Sequence, residues 1–225
     1  MFDRFLPAQS RLSPREQVLA ALAAGLTIAL NAWLSRLLLP GEFHSFLAAS
    51  MGASTILALV VYHSPFSQPW AILGGHFVSV ASGLLAHALV SDLVWACALA
   101  MSLAVVLQLN LRCLHPPGGG TALLPVLGGA AIQSEGLAFA GVVLLNAVVL
   151  VLAALFFNNL MPGRRYPLAF FPAHPAPHSP SASPRFTSAE LRDALNDLDE
   201  IVDVTPDDMN TIFELALSRK RRGAR

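Results

Sequence analysis

Between two strongly apolar segments, Leu93–Leu111 and Ala122–Ile132, the chain reads His115-Pro116-Pro117-Gly118-Gly119-Gly120-Thr121. The prolines withhold backbone donors and the glycines carry a large entropic penalty in a helix. This stretch therefore cannot continue an ordinary lipid-facing helix. In hydrocarbon every backbone polar group must be satisfied internally, and irregular backbone is tolerated only where protein or a water-filled cavity surrounds it. A broken, histidine-bearing element between apolar segments has to be enclosed by the rest of the protein, and it points to a site or a pathway.

Composition decides that the solvent is a membrane. Hydrophobic residues make up 55% of the chain and charged residues 12%, against about 25% charged in soluble domains. From Val18 to Leu160 the formal charges are Arg36, Glu42, Asp92, Arg112 and Glu135. The zero net charge averages a nearly neutral membrane part and a charged tail, and says nothing about partners. Cys97 and Cys113 form no Cys-x-x-Cys pair and sit in apolar surroundings, which reads as packing thiols. No two histidines have the i, i+3 or i, i+4 spacing of a metal site, and His76 and His87 lie about 16 Å apart along one helix. No metal and no cofactor are assigned.

Six apolar segments follow one another: Val18–Leu39, Phe46–Val61, Pro69–Val90, Leu93–Leu111, Ala122–Ile132 and Leu137–Leu160. A spanning helix needs about 20 apolar residues. The second and fifth fall short, as half-helices, re-entrant segments or buried spans. Ser13-Pro14-Arg15-Glu16 opens the first with an N-cap serine, a proline at the first position and an early acid. Met1–Arg15 is polar and basic, a cytoplasmic leader to a retained first helix. A shift of 67 residues lays Gly52-Ala53-Ser54-Thr55-Ile56-Leu57 on Gly119-Gly120-Thr121-Ala122-Leu123-Leu124. Each half is then long helix, short segment, long helix, and three crossings per half invert one half against the other. With all six segments crossing and the N-terminus cytoplasmic, Arg4, Arg11, Arg15, Arg112, Arg164 and Arg165 fall inside. Arg36, Glu42, Asp92 and Glu135 fall outside, which obeys the positive-inside rule. The expected fold is all-α: a polytopic transmembrane protein of six membrane elements, two short or broken, in a 3+3 inverted repeat, with both termini cytoplasmic.

Small residues recur on the third segment at Gly75, Ser79 and Gly83, a spacing that lets helix backbones approach closely; this stripe reads as packing. Asn31, Asn110 and Asn146 are intramembrane polar residues expected to face the protein interior. The first turn of the helix after Pro117 would offer unpaired N–H groups and a positive dipole end, and glycines let a ligand come close to them. The expected substrate path is therefore His115, Gly118, Gly119, Gly120 and Thr121, joined by Ser54 and Thr55 from the first half. The ligand is a small inorganic anion, with Thr121 adding a hydroxyl and His115 a donor or a titratable charge. A tight interhelical turn with His115 bonded to a carbonyl is the plain alternative.

These residues carry a resemblance. His115-Pro116-Pro117-Gly118-Gly119-Gly120-Thr121-Ala122-Leu123 resembles the signature of the HPP family of integral membrane proteins. Gly52-Ala53-Ser54, Ser64-Pro65-Phe66-Ser67-Gln68-Pro69 and Gly74-Gly75-His76 match its pattern in the same order, over roughly Pro14 to Pro172. Members in plastids and cyanobacteria are described as nitrite transporters. The resemblance thus implies a small-anion role with nitrite favoured and, for a bacterial relative, a place in the inner membrane.

Residues 1–167 form the membrane domain by this reading. Residues 168–185 are a proline-rich linker, and residues 186–225 are an acidic amphipathic tail that holds nine of the fourteen acids. Thr187-x-x-Glu190 is a capping box, and Thr205-Pro206-Asp207-Asp208 starts a second helix. Forty residues bury little core alone, so a helical hairpin there needs a partner; a homo-oligomer is expected. Arg219-Lys220-Arg221-Arg222 reads as a contact with the lipid bilayer rather than with nucleic acid. An enzyme is not expected: no Ser/His/Asp set, Gly-x-Ser-x-Gly, paired acids or His-Glu-x-x-His is present, and the glycines lack a βαβ context. Transport is weighed against a membrane regulatory or scaffold subunit acting through its C-terminal tail. Deleting residues 185–225 separates the two, because a transporter keeps its flux.

Overall fold

The computed structural model describes residues 13–38, 43–170, 187, 190–191 and 209–213, with side chains described throughout except at 43–49 and 130–131. Among the described residues from 13 to 170, seven α-helices follow one another: α1 (Pro14–Leu38), α2 (Phe43–Val60), α3 (Pro69–Leu89), α4 (Leu93–Asn110), α5 (Gly118–Leu127), α6 (Gly129–Glu135) and α7 (Leu137–Leu160). Four of them, α1, α3, α4 and α7, are long and apolar enough to cross a membrane. The start of α1 is a reciprocal capping box. Ser13 N–H and Oγ donate to Glu16 Oε2 at 3.0 and 2.8 Å, and Glu16 N–H returns to Ser13 Oγ at 3.3 Å. Asp92 caps α4 by accepting from the amides of Val94 and Trp95, both at 3.1 Å.

Helices α1 and α4 bury small and polar residues and expose large apolar ones, while Ile72 of α3 and Phe139 and Leu150 of α7 belong to the core. On α1 the inner stripe is Ala20, Ala23, Thr27, Asn31 and Ser35, while Val18, Leu22, Leu26, Leu30, Trp33 and Leu37 face outward. On α4 the inner stripe is Ala96, Ala100, Ala104 and Gln108. A soluble protein would reverse this. In lipid the tails are as apolar as leucine, so nothing drives leucine inward, and small residues are selected where backbones must approach. Of the four long helices the most enclosed is α3, which packs on α4, α5 and α7.

Contacts between connections fix the direction of each crossing. Trp70 Nε1 donates to the Leu111 carbonyl at 3.1 Å, Tyr166 Oη to Ser67 O at 2.7 Å and Leu168 N to Gln68 Oε1 at 3.0 Å. The C-terminal ends of α2, α4 and α7 thus meet the start of α3 at one face. His87 at the end of α3 meets Gln133 of α6 at the opposite face. The register along α3, where Gly75 touches His115, Ser79 nears Gly118 and Gly83 abuts Ala122, makes α5 run parallel to it. The fifth element therefore crosses rather than turning back.

The packing maps onto itself when the halves are exchanged, α1 for α4, α2 for α5 and α3 for α7. α1 packs on α2 and α7 as α4 packs on α5 and α3; α2 packs on α7 as α5 packs on α3; α2–α5 and α3–α7 are their own counterparts. Side chains repeat the relation. Gln108 Nε2 of α4 donates to Ser79 Oγ of α3 at 2.9 Å, and Asn146 Nδ2 of α7 donates to Ser35 Oγ of α1 at 3.0 Å. Ser50 and Pro117, which the 67-residue shift superposes, touch each other through Ser50 Oγ and the Pro117 carbonyl at 3.4 Å. Equivalent residues meet only near a two-fold axis, so this pair marks it.

The structure corrects several details. The second element begins at Phe43 and is a helix of 18 residues, about 27 Å long. The fifth begins four residues before Ala122, with the three glycines as its first turn behind Pro117 at the N-cap. It ends at Gly128, and Gly129, in the left-handed region at φ 68°, starts the separate helix α6. Asn31 and Asn146 are buried as expected, but Asn110 is exposed at the end of α4, its amide folded back on the Val106 carbonyl at 2.7 Å. The tail's capping box is present. Thr187 N and Oγ1 donate to Glu190 Oε2 at 2.7 and 2.9 Å, holding that carboxyl below its ordinary value. Most of the linker and of the expected tail hairpin lies outside the described residues.

Candidate functional site

Helix α5 starts beside Ser79, the eleventh of the 21 residues of α3, and so at mid-depth. The chain reaches that point from the end of α4 through Leu111–Pro117, without helix. Side chains make the irregular backbone affordable. Gln108 Oε1 accepts from the His115 amide at 2.8 Å, and Gln108 Nε2 reaches Ser79. Glycine spacing on α3 admits the segment: a Cβ on Gly75 would lie 2.5 Å from His115 Cβ, and one on Gly118 would lie 2.7 Å from Ser79 Oγ.

Around this junction a chain of side chains crosses from α2 to α3 to the broken segment. Ser50 Oγ pairs with Thr121 Oγ1. Thr121 Oγ1 lies 2.8 Å from His76 Nδ1. His76 Nε2 lies 3.0 Å from Ser54 Oγ, and Ser54 Oγ lies 2.8 Å from His115 Nε2. His115 Nδ1 ends the chain on the Phe66 carbonyl at 2.8 Å. The two imidazoles stand edge to face, 4.9 Å between centroids. Ser54, His76, His115 and Thr121 are fully buried, and Ser50 nearly so. Among the described residues no carboxylate, lysine or arginine side chain takes part in the chain.

The expected site residues divide. Ser54, His115 and Thr121 come together as expected, across the two halves. Thr55 does not join them; its hydroxyl donates to the Met51 carbonyl at 2.7 Å. The expectation that the glycine amides stand open to a ligand is not met. Gly118, Gly119 and Gly120 N–H donate to the carbonyls of His115, Pro116 and Pro117 at 2.8, 3.0 and 3.1 Å. The tight turn closes those donors on itself. Gly118 is buried, Gly119 half-buried and Gly120 exposed. Gly75, Ser79 and Gly83 do line the approach of α3 to the broken element, and Ser79 also holds Gln108.

His76 and Ser50 are the members that sequence reading missed. Gly74-Gly75-His76 was visible as a motif, but nothing local says that the glycine beside His76 is where His115 comes to rest. On the side of Phe66, a cleft of about 200 Å³ opens, lined by Phe66, Gln108, Leu114 and the exposed Arg112. Both groups that hold the backbone amide and Nδ1 of His115 therefore also line this cleft.

The family model described as HPP, transmembrane region, matches residues 9–167. Two curated transmembrane proteins of Dictyostelium discoideum are similar. One is 39% identical over 127 residues, 54% of this chain and 44% of its own length. The other is 38% identical over 128 residues, 55% of this chain and 41% of its own length. The chain thus spans less than half the length of these relatives. No solved structure matches.

Proposed function

The chain belongs to the HPP family of integral membrane proteins, and from that premise we propose that it is a transporter of a small inorganic anion, nitrite favoured. The observation that carries the reading is the half-helix α5, which begins at mid-depth on the pseudo-two-fold axis against Ser50 and Ser54 of the other half. Midplane breaks at a repeat interface are where transporters of this plan bind their cargo. The site groups are buried, so the described state is an occluded one, and the halves must shift against each other to open it. Arg112 and Gln108 in the cleft beside Phe66 give an anion a positively charged approach from the face that the arginines make cytoplasmic. Both termini lie on that face in this proposal, and the protein acts by binding and moving its ligand rather than by bond chemistry. Once that shift separates them, the hydroxyls of Ser50, Ser54 and Thr121 and the ring of His115 exchange their bonds to one another for bonds to the ligand, in place of the closed glycine amides.

Purified protein in liposomes tests this. Saturable nitrite uptake above protein-free vesicles, inhibited by other small oxyanions, is expected. Uptake that matches protein-free vesicles for nitrite and for each competing anion would remove the proposal.

A further inference from the structure

The polar chain at the axis has one consistent set of hydrogen positions when it is neutral. The Phe66 carbonyl can only accept, so His115 carries its proton on Nδ1. Its Nε2 is then bare and takes the Ser54 hydroxyl proton at 2.8 Å in preference to the Ser50 carbonyl, which lies 3.2 Å from Ser54 Oγ. Ser54 has no second proton, so His76 must donate to it from Nε2. His76 Nδ1 is then bare and accepts from Thr121, and Thr121 accepts from Ser50. Every ring nitrogen and hydroxyl is bonded, and the two histidines are opposite tautomers.

A second arrangement is equally complete and holds one more proton. With Nε2–H on His115, the direction reverses: His115 donates to Ser54, Ser54 to His76 Nε2, His76 Nδ1–H to Thr121, Thr121 to Ser50, and Ser50 to the Pro117 carbonyl. Both ends of the chain are backbone carbonyls, so both states are fully satisfied. Rings 4.9 Å apart in a low-dielectric interior cannot both be charged, which limits uptake to one proton.

We propose that the chain Ser50–Thr121–His76–Ser54–His115 is a proton-binding site that loads and unloads one proton in the transport cycle, so that the anion moves with a compensating charge. This rests on the transport reading above. The donor is hydronium or the protonated, weak-acid form of the anion, reaching the Ser50 end of the chain when the halves shift to open the occluded site. It gives a proton to Ser50 as Ser50 passes its own to Thr121, Thr121 to His76 Nδ1, His76 Nε2 to Ser54, and Ser54 to His115 Nε2. One bond to hydrogen forms and one breaks at each link, and the charge ends on His115; release runs the same steps backward. Among the described residues, the side chains bonded to the rings and to the His115 amide are hydroxyls and an amide. α2 presents Ser50 and Ser54, α3 presents Ser79 and α4 presents Gln108. Cys113 packs against Gly74, Arg112 lines the cleft beside Phe66, and Arg164 is held on the Leu59 carbonyl.

The tautomers are read directly by nitrogen NMR of histidine-labelled protein in nanodiscs, with His76→Gln and His115→Gln assigning the two rings. Near neutral pH, His115 should show a proton on Nδ1 alone and His76 on Nε2 alone. On acidification, His115 should become doubly protonated while His76 stays neutral with its proton moved to Nδ1. Matching tautomers, no change across the range, or two doubly protonated rings would overturn the proton site. In nitrite-loaded proteoliposomes carrying a pH dye, wild type should move protons with nitrite. Ser54→Ala should cut accumulation driven by a pH gradient about a hundredfold, and Ser54→Thr, which keeps the hydroxyl, should restore it. Nitrite flux without proton movement and indifferent to Ser54→Ala overturns the coupling. Absence of any nitrite flux in wild type strikes the transport reading instead, and the NMR result still decides the proton site.

Discussion

Gly75→Ala tests the idea that close backbone approach builds the site. The added Cβ falls 2.5 Å from His115 Cβ and 3.1 Å from the Cys113 carbonyl oxygen. Carbon atoms settle about 3.5–4.0 Å apart, so the broken segment must retreat by about 1.0–1.5 Å. A retreat of that size stretches the 2.8 Å contact between Ser54 and His115 to about 4 Å, beyond hydrogen-bonding range. Overpacking of this kind costs about 3 kcal/mol at the upper end of its range. Alanine returns about 1 kcal/mol of helix propensity, so the net loss is about 2 kcal/mol. Gly141→Ala on α7 is the control, since nothing lies within 4 Å of its added Cβ; it should gain up to about 1 kcal/mol. Reversible unfolding in mixed micelles, followed by tryptophan fluorescence, measures both. Equal stabilities for the two variants would refute the close-approach argument, as would a Gly75→Ala protein that keeps the wild-type imidazole signals.

Arg164→Met should lower stability by about 1–3 kcal/mol in the same assay, because it strips donors from the Leu59 carbonyl at 2.6 Å and Asn158 Oδ1 at 3.1 Å and removes the cation over the Tyr62 ring. Burial raises the Tyr166 hydroxyl above its ordinary value. Its contribution is therefore whole below the unfolded value of about 10 and lost as pH rises beyond it; Tyr166→Phe should weaken the fold at neutral pH and flatten the alkaline decline, and an unchanged decline would contradict this. With Cys97 and Cys113 replaced by alanine, a cysteine at Ser91 should react only from the outer face of oriented vesicles and one at Arg165 only from the cytoplasmic face; reaction from the same face would break the six-crossing order.

Much of the fold was legible because membrane solvent simplifies the code. Apolar length marked each crossing, and proline with glycine marked the one element that had to be enclosed. The stripe Gly75, Ser79, Gly83 announced a close neighbour without saying which one. The site was half legible. His115, Thr121 and Ser54 were reached through motifs, but His76 enters through a tertiary approach that no local spacing encodes. The glycine amides were misjudged for a physical reason. Pro116 and Pro117 favour a tight turn whose carbonyls face back along the chain, and these satisfy the amides before any ligand can. Asn110 was misplaced because it ends α4, where its amide can fold back on its own helix instead of seeking the interior.

The reversal of inside and outside on α1 and α4 also determines how such a chain can change over generations. Ala20, Ala23, Ala96, Ala100 and Ala104 are buried, whereas Leu22, Leu26 and Trp33 turn most of their surface to the surrounding medium. Descendants can trade one bulky apolar side chain for another along the outer stripe almost without penalty, and selection falls instead on enlargement of the small positions. On these two helices the usual intuition that core leucines are fixed and surface alanines drift is inverted, so their inheritance is written in their smallest side chains.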